Sequence, residues 1–386
     1  MHPRRAAALG AALLLGAMPA AAGPLFRGLG DLPGGSFYSV ANAVSPDGRH
    51  VAGYSVSDTV HPSGRSEAFV WDARNGMRGL GTLPDYLDGF ATGVSADGSH
   101  VAGYTGGSGG PGYDGIRAVR WDAAGIHDLG ELPGGSTSQI ARGLSADGGW
   151  IVGEAVRPGV GKEAFRWSAS GGMQGLGELP GGLVLSEAWA ISADGATIVG
   201  QSHSGGCNEA FRWTEAGGMQ GLGDLAGGAC YSLAYAVSAD GAFIAGAGST
   251  AVNGPEDEAF LWDATNGMRG LGDLPGGQFR SLALGVSADG SAVVGYGDDA
   301  DGPEAFLWTE AGGMQALADV LTARGLDLGG WDLWRATAIS ADGRTIVGWG
   351  TSPNGVEAFQ AVIPEPGSAA LLGLGLVALA SRRRRS

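Results

Sequence analysis

A tetrapeptide of the form Ser-(Ala/Pro)-Asp-Gly returns at a nearly constant interval along this 386-residue chain. Its aspartates are separated by 50, 50, 47, 46, 49 and 53 residues; they are Asp47, Asp97, Asp147, Asp194, Asp240, Asp289 and Asp342. A period of this size is typical of supersecondary units that bury their apolar faces by stacking on one another. The repeat therefore predicts an array of similar units.

Other segments recur in a fixed order around the tetrapeptide. A small-residue run, Ala-x-(Ala/Gly)-(Val/Ile/Leu)-Ser, precedes it, and a β-branched run ending in glycine follows it, as in Val51-Ala52-Gly53. Next come Glu-Ala-Phe-x-Trp, as at Glu67–Trp71, and Met-x-Gly-Leu-Gly-(Asp/Glu)-Leu-Pro-Gly-Gly, as at Met173–Gly182. These segments predict four short strands per unit, joined by tight glycine turns. One short helix is expected near Leu317–Arg324.

Four-stranded units at this period are typical of β-propeller blades. The segment Phe26–Leu32 has the sequence of a fourth strand, whereas the last unit ends after its third strand, at Glu357–Ile363. We therefore predict an all-β, seven-bladed β-propeller with four strands per blade over residues 23–363. The N-terminal strand would complete the last blade and close the ring, which removes an unpaired sheet edge.

Residues 1–22 have the pattern of a secretory signal peptide. A basic start precedes the apolar run Ala6–Met18 and the small-residue cleavage site Ala20–Ala22, which predicts export through the Sec pathway. An exported protein reaches an oxidising compartment, where two cysteines can pair. Cys207 and Cys230 fall in two loops that a propeller would place on the same face, and we predict a disulfide between them.

The C-terminal 23 residues, 364–386, combine three unlike elements. Pro364, Glu365 and Pro366 precede the apolar run Gly367–Ala380, and the arginines that follow are Arg382, Arg383, Arg384 and Arg385. Fourteen apolar residues are short for a spanning helix, so the residues alone indicate a weak membrane anchor with its basic end in the cytoplasm.

This order of parts resembles the PEP-CTERM sorting signal of Gram-negative bacteria. The resemblance implies an exosortase-type membrane protease as a partner during sorting. It also implies transient inner-membrane anchoring through a short transmembrane segment, followed by release to the cell surface or to the exopolysaccharide matrix of a biofilm.

The repeats are similar to the HAF repeat of probable extracellular bacterial proteins, with glutamate in place of the usual histidine before Ala-Phe. This resemblance covers Phe26–Val362, and the stretch that begins at Ser45 is also similar to the blades of TolB-like propellers. Neither resemblance implies a catalytic residue or a cofactor.

The formal net charge of −16 disfavours nucleic acid and anionic membrane surfaces as partners and favours cations. One variable loop carries clustered carboxylates that could hold calcium, which prefers oxygen ligands. The candidates are Asp298, Asp299 and Asp301. A solvated acidic loop is the alternative, and no other cofactor or metal is expected.

The periodic polar and aromatic residues invite two functional interpretations. The turn aspartates could be metal ligands, and the repeated tryptophans that end Glu-Ala-Phe-x-Trp could stack on sugars. Capping of local amides by Ser and Asp, and tryptophans wedged between blades, are the structural alternatives. A single active site needs its residues only once, so the structural alternatives are favoured and function is expected where the repeats differ.

One position that differs follows the first-strand alanine of each unit. Its occupants are Asn42, Thr92, Arg142, Trp189, Tyr235, Leu284 and Thr337. We expect them near the start of the innermost strand, around one mouth of the central channel. Their aromatic, cationic and hydrogen-bonding groups suit carbohydrate or peptide, whereas a variable core position is the alternative.

No catalytic residue is assigned, because no two histidines have metal-ligand spacing and no nucleophile elbow precedes a helix. The sequence predicts a non-catalytic binding or structural protein of the cell surface or extracellular matrix, with polysaccharide or a surface protein as its ligand. A secreted glycosidase or lyase is the alternative, since such enzymes need only two well-placed carboxylates and a propeller can host either role.

Overall fold

The computed structural model describes residues 25–58, 64–108, 115–250 and 257–363. Antiparallel strands and glycine-containing turns dominate these residues, and one helix interrupts them. The predicted signal peptide at 1–22 and sorting signal at 364–386 lie outside the described residues. The prediction of an all-β chain is confirmed.

The strands are mostly four to eleven residues long. In chain order they are β1 (Leu25–Gly28), β2 (Gly34–Val44), β3 (His50–Ser57), β4 (Arg65–Asp72), β5 (Gly76–Gly79), β6 (Tyr86–Val94), β7 (Val101–Ser108), β8 (Arg117–Asp122), β9 (Gly125–Asp128), β10 (Ser138–Leu144), β11 (Ile151–Arg157), β12 (Gly161–Ser168), β13 (Gly172–Gly175), β14 (Ser186–Ile191), β15 (Thr197–Ser204), β16 (Cys207–Thr214), β17 (Gly218–Gly221), β18 (Ser232–Val237), β19 (Phe243–Ser249), β20 (Asp257–Asp263), β21 (Gly267–Gly270), β22 (Gly276–Val286), β23 (Ala292–Asp299), β24 (Pro303–Thr309), β25 (Gly313–Ala316), β26 (Asp332–Ile339), β27 (Thr345–Ser352) and β28 (Gly355–Val362). The helix is α1 (Leu317–Ala323).

Consecutive strands pair into four-stranded antiparallel sheets like the blades of a propeller. Five such sheets are β6–β9, β10–β13, β14–β17, β18–β21 and β22–β25. A sixth sheet has eight strands: the sets β26-β27-β28-β1 and β2-β3-β4-β5 are joined by one parallel pair, Tyr38 with Val356. The fold is that of a β-propeller.

The N-terminal strand β1 pairs antiparallel with β28, the last strand of the described chain. Beside this pair, the Glu357 carboxylate accepts a hydrogen bond from the Gly30 N–H at 2.9 Å. The same contact joins Glu67 to Gly81 at 3.2 Å, between the third and fourth strands of the first unit. β1 therefore takes the place of a fourth strand in the last unit.

The repeated aromatic residues form the core between neighbouring units. The phenylalanines of Glu-Ala-Phe are fully buried; they are Phe69, Phe165, Phe211, Phe260, Phe306 and Phe359. Trp71 packs in one cluster with Val347 and Ala358 of the last unit. Burial of this kind places the tryptophan between units, as the structural interpretation of these residues expects.

The helix α1 lies between β25 and β26, where a short helix was predicted, and this prediction is confirmed. Its buried residues Leu317, Val320 and Leu321 join the cluster that covers the last two units. Within the described residues, no helix has both the length and the apolar character to cross a membrane. Residues Pro24–Ile363 form one compact unit.

Candidate functional site

The Ser-x-Asp-Gly tetrapeptide builds a turn between the first and second strands. Ser45 Oγ donates to Asp47 Oδ1 at 2.6 Å and accepts the His50 N–H at 3.0 Å. The other six copies repeat the Ser-to-Asp bond at 2.5 to 2.8 Å. In the second copy, hydrogen bonds to the carboxylate hold the pKa of Asp97 well below its usual range. The aspartates thus cap their own turns.

Each first strand contains a β-bulge at the variable position. In β2, Ala41 pairs with Gly53 and Ala43 pairs with Ala52, so Asn42 is an extra residue without a partner in β3. The same shift of register occurs in the first strand of every other unit. A bulge re-aims a side chain that regular pleating would place elsewhere. We call these extra residues the bulge ring: Asn42, Thr92, Arg142, Trp189, Tyr235, Leu284 and Thr337.

The glycine that ends the second-strand motif makes room for each bulge. A Cβ at Gly53 would collide with the Val40 carbonyl oxygen of the first strand. The equivalent collision arises at the corresponding glycines, Gly103, Gly153, Gly200, Gly246, Gly295 and Gly348. The recurrence of glycine at this position therefore has a packing reason.

All seven bulge-ring residues line one cavity of about 510 Å³. Apolar side chains two positions further along each first strand line it next: Val44, Val94, Leu144, Ile191, Val237, Val286 and Ile339. At the turn end, backbone hydrogen bonds link neighbouring units directly, as from Ala146 to Ala193 and from Ala341 to Pro46. The strand ends converge there, and the volume is that of a small-ligand site.

Three bulge-ring residues use their polar atoms to bind the neighbouring first strand. Each donates a side-chain hydrogen bond to a backbone carbonyl of the next unit, so the bond holds adjacent units together. The bonds run from Asn42 to Ala91, from Thr92 to Ala141 and from Thr337 to Ala41, at 2.9, 3.0 and 2.8 Å. At these three positions the bulge-ring side chain therefore has a structural role, because it joins two neighbouring units.

Arg142, Trp189 and Tyr235 form a continuous wall of the cavity. Glu154 holds Arg142 through two hydrogen bonds of 2.9 and 3.1 Å, and the guanidinium lies 4.3 Å from the Trp189 ring centroid. Trp189 meets Tyr235 edge to face, with centroids 5.2 Å apart. Burial raises the pKa of Tyr235, so its hydroxyl remains a hydrogen-bond donor. The buried Trp189 Nε1 has no hydrogen-bond partner among the described residues.

Two further lining residues, Tyr296 and Arg335, were not among the sequence candidates. The Arg335 guanidinium lies 4.1 Å from the Tyr296 ring centroid and 5.7 Å from that of Trp349. Tyr296 and Trp349 both follow the second-strand glycine. That position also differs among the repeats, and its occupants are Tyr54, Tyr104, Glu154, Gln201, Ala247, Tyr296 and Trp349. Variation at this position was the signal that could have found Tyr296.

Two of the three aspartates considered for calcium have contacts through their carboxylates. Asp298 lies 3.8 Å from the Arg280 guanidinium, and Asp299 accepts the backbone N–H of Asp301 at 2.8 Å. Across the described ranges, no three His, Cys, Asp or Glu side chains are grouped so that they could hold a metal ion. The structure therefore does not bring these carboxylates together as a calcium site.

Cys207 and Cys230 form a disulfide, with their Cα atoms 5.8 Å apart. Cys207 begins β16, and Cys230 lies in the connection from β17 to β18. The bond therefore ties the loop between the second and third strands of one unit to the connection with the next unit.

Residues 362–385 match the PEP-CTERM protein-sorting motif. The motif directs an exported protein to exosortase-dependent, membrane-associated sorting to the cell surface. The residues assigned to this signal, Pro364–Pro366 and Arg382–Arg385, lie beyond the described part of the chain.

Solved structures share the fold at low sequence identity. An oligogalacturonate lyase from Vibrio parahaemolyticus is 12% identical, with a TM-score of 0.53 over 89% of this chain and 98% of that one. A manganese-bound oligogalacturonate lyase is 13% identical, with a TM-score of 0.52 over 89% and 97%. TolB from Acinetobacter baumannii is 16% identical, with a TM-score of 0.47 over 70% of this chain and 63% of its own. No curated protein matches the sequence.

Proposed function

We propose that this protein is a non-catalytic, ligand-binding propeller of the bacterial cell surface or exopolysaccharide matrix, built from HAF-type repeats. It would leave the cytoplasm through the Sec pathway and be sorted by exosortase. Polysaccharide or a surface protein would bind in the cavity bounded by the bulge ring. The observation that carries this proposal is the convergence of seven repeat-equivalent bulges on one cavity.

The proposal includes a closed ring of seven blades. Its support lies in the contacts between the first and last units: β1 pairs with β28, Thr337 donates to Ala41, and Ala341 donates to Pro46. The pairing of β1 with β28 repeats that of the third and fourth strands within a unit, and the two hydrogen bonds repeat bonds between neighbouring units. Seven four-stranded blades then account for all 28 strands of the described residues.

The contrast between periodic and variable residues supports a binding role. The periodic Ser, Asp, Phe and Trp side chains are used in turns and in the core. The variable residues Arg142, Trp189 and Tyr235 instead present an aromatic and cationic wall to the cavity. Aromatic faces with a few polar groups are typical of sites for small ligands.

A glycan array probed with the full-length chain in mild detergent tests the proposal. We expect saturable binding that Trp189→Ala weakens at least about tenfold, because the substitution removes the aromatic wall. Trp150→Ala is the matched control, since Trp150 packs against a cluster of buried side chains and is not among the residues that line the cavity. Equal binding by wild type and Trp189→Ala would show that the cavity is not the site.

The same samples decide between binding and catalysis. A non-catalytic protein leaves bound polysaccharide intact, as size-exclusion chromatography and reducing-end analysis would show. Shortened products that disappear in Glu154→Gln would instead establish the alternative, a secreted glycosidase or lyase, because Glu154 is the carboxylate that contacts the lining residue Arg142.

A further inference from the structure

The cavity has an asymmetric charge. The charged lining side chains in the described part of the chain are two arginines, Arg142 and Arg335, within a protein of net charge −16. Arg142 is neutralised by its two hydrogen bonds to Glu154, whose side chain is 4% exposed. The positive charge that remains available to a ligand is therefore that of Arg335.

Arg335 is half-buried and held by aromatic rings. Its guanidinium lies against Tyr296 and Trp349, at 4.1 and 5.7 Å from their ring centroids. Among the described residues, its side chain has no ion-pair partner and no hydrogen-bond partner. Stacking on a ring leaves the edge of the guanidinium free, and this edge matches the two oxygens of a carboxylate.

We infer that Arg335 recognises a carboxylate-bearing sugar at the end of a polysaccharide or oligosaccharide, a deepening that rests on the proposed function. The carboxylate pairs with the Arg335 guanidinium in the cavity. The sugar ring lies against two aromatic side chains of the lining, Trp189 and Tyr235. The Tyr235 hydroxyl, whose pKa is raised by burial, is a donor suited to a sugar oxygen.

The shape of the cavity favours a chain end over a continuous polymer. Its volume of about 510 Å³ is that of a small-molecule site. One end is narrowed where the first strands converge, since backbone hydrogen bonds join Ala146, Ala193 and Ala239 in sequence there. A terminal residue fits such a space, whereas an unbranched polymer would need an open groove.

Calorimetric titration of the full-length chain in mild detergent tests this inference with three small probes. Methyl β-glucuronide and methyl β-glucoside differ only in the carboxylate, and N-acetyl-glycylglycine carries a carboxylate without a sugar ring. We expect the glucuronide to bind at least about tenfold more tightly than either of the others, because the glucoside lacks the carboxylate that pairs with Arg335 and the dipeptide lacks the sugar ring that packs against the aromatic side chains.

Substitutions of arginine test which residue causes the preference for the glucuronide. Arg335→Gln should abolish the preference for the glucuronide over the glucoside, and Arg335→Lys should retain part of it. Arg78→Gln makes the same change of net charge at an exposed residue of β5 and should leave the preference unchanged. Thermal melting of each variant confirms that it is folded before titration.

The outcomes separate this inference from the proposed function. Equal affinity for glucuronide and glucoside, lost in Trp189→Ala, overturns carboxylate recognition but leaves the binding cavity in place. Equal affinity for the acetylated dipeptide overturns the sugar as the recognised class. A glucuronide preference that persists in Arg335→Gln overturns the role of Arg335, and no saturable binding of any probe overturns the inference as a whole.

Discussion

The glutamate that begins Glu-Ala-Phe accepts the same backbone hydrogen bond in several units. Glu304 of the sixth unit lacks the glycine that donates this bond. In four units this carboxylate accepts a hydrogen bond from the N–H of the second glycine in a Gly-Leu-Gly segment. The pairs are Glu67–Gly81, Glu209–Gly223, Glu258–Gly272 and Glu357–Gly30, and the last of these uses the Gly-Leu-Gly segment at the N-terminal end of the described chain. In the sixth unit that place is Ala318, inside α1. Burial, together with repulsion from Asp332, Asp299 and Asp319, raises the pKa of Glu304 to about 8.

This shift predicts a pH-dependent stability. The unfolded chain releases the Glu304 proton near the ordinary pKa of 4.5, so between about pH 4.5 and 8 the folded state binds more protons. Stability due to this group is therefore present at the acidic end and falls as the pH rises. Glu304→Gln should melt close to wild type at pH 4.5 but be more stable at pH 8, by on the order of 1 kcal/mol after screening by solvent.

Thermal denaturation at both pH values measures the difference between wild type and variant. Glu209→Gln is the control, because its carboxylate accepts the Gly223 N–H and the substitution should not stabilise the protein at pH 8. A pH-independent difference for Glu304→Gln would contradict the assignment.

At the scale of the strand, β1 is separated by most of the sequence from the unit that it completes. Its pairing with β28 is supplemented by the bond from the Leu29 N–H to the Ala358 carbonyl, at 2.8 Å. The equivalent bond from Leu80 to Ala68 has the same length within the first unit. The long separation changes the entropy of forming the contact but not its local geometry.

Removing the carboxylates of Glu357 and Glu67 in turn tests whether β1 is held in the same way as β5, the fourth strand of the first unit. Glu357→Ala and Glu67→Ala each leave a glycine N–H without its partner, and each should lower the free energy of unfolding by about 1–3 kcal/mol. The two side chains are matched in burial, at 6% and 5% exposure. Urea denaturation measures both. A loss for Glu67→Ala with none for Glu357→Ala would show that β1 is not docked in this way.

At the scale of the whole molecule, the sorting motif defines where the protein acts. The motif covers residues 362–385 and overlaps the last strand, Gly355–Val362, by one residue. The proposed ligand class suits that destination, because a surface or matrix protein meets the ends of extracellular polysaccharides.

Replacing Pro364, Glu365 and Pro366 by alanine should therefore block release without unfolding the propeller. We expect the variant to stay in the membrane fraction at full length, whereas wild type reaches the surface in a shorter form. Immunoblotting of cell fractions measures both size and location, and Pro353→Ala in the exposed turn before β28 is the control. Release of the variant at wild-type levels would count against exosortase processing.

The repeat period, the four strands, the turn chemistry, the short helix and the C-terminal sorting signal could be derived from the sequence. These features depend on residues close together in the chain, such as Ser45 with Asp47, whose hydrogen bond needs only a turn. Comparison among the repeats also singled out Asn42 and its six counterparts. It did not show that they are bulge residues, because a bulge depends on pairing between strands.

Only the tertiary structure decided what each variable residue does. It assigns Asn42, Thr92 and Thr337 to bonds between units and leaves Arg142, Trp189 and Tyr235 as a cavity wall. It adds Arg335 and Tyr296, which lie in different units and meet only when blades are packed side by side. The local pattern of the sequence determines strands and turns, whereas a site between blades depends on register and on contacts between distant residues, which no local pattern contains.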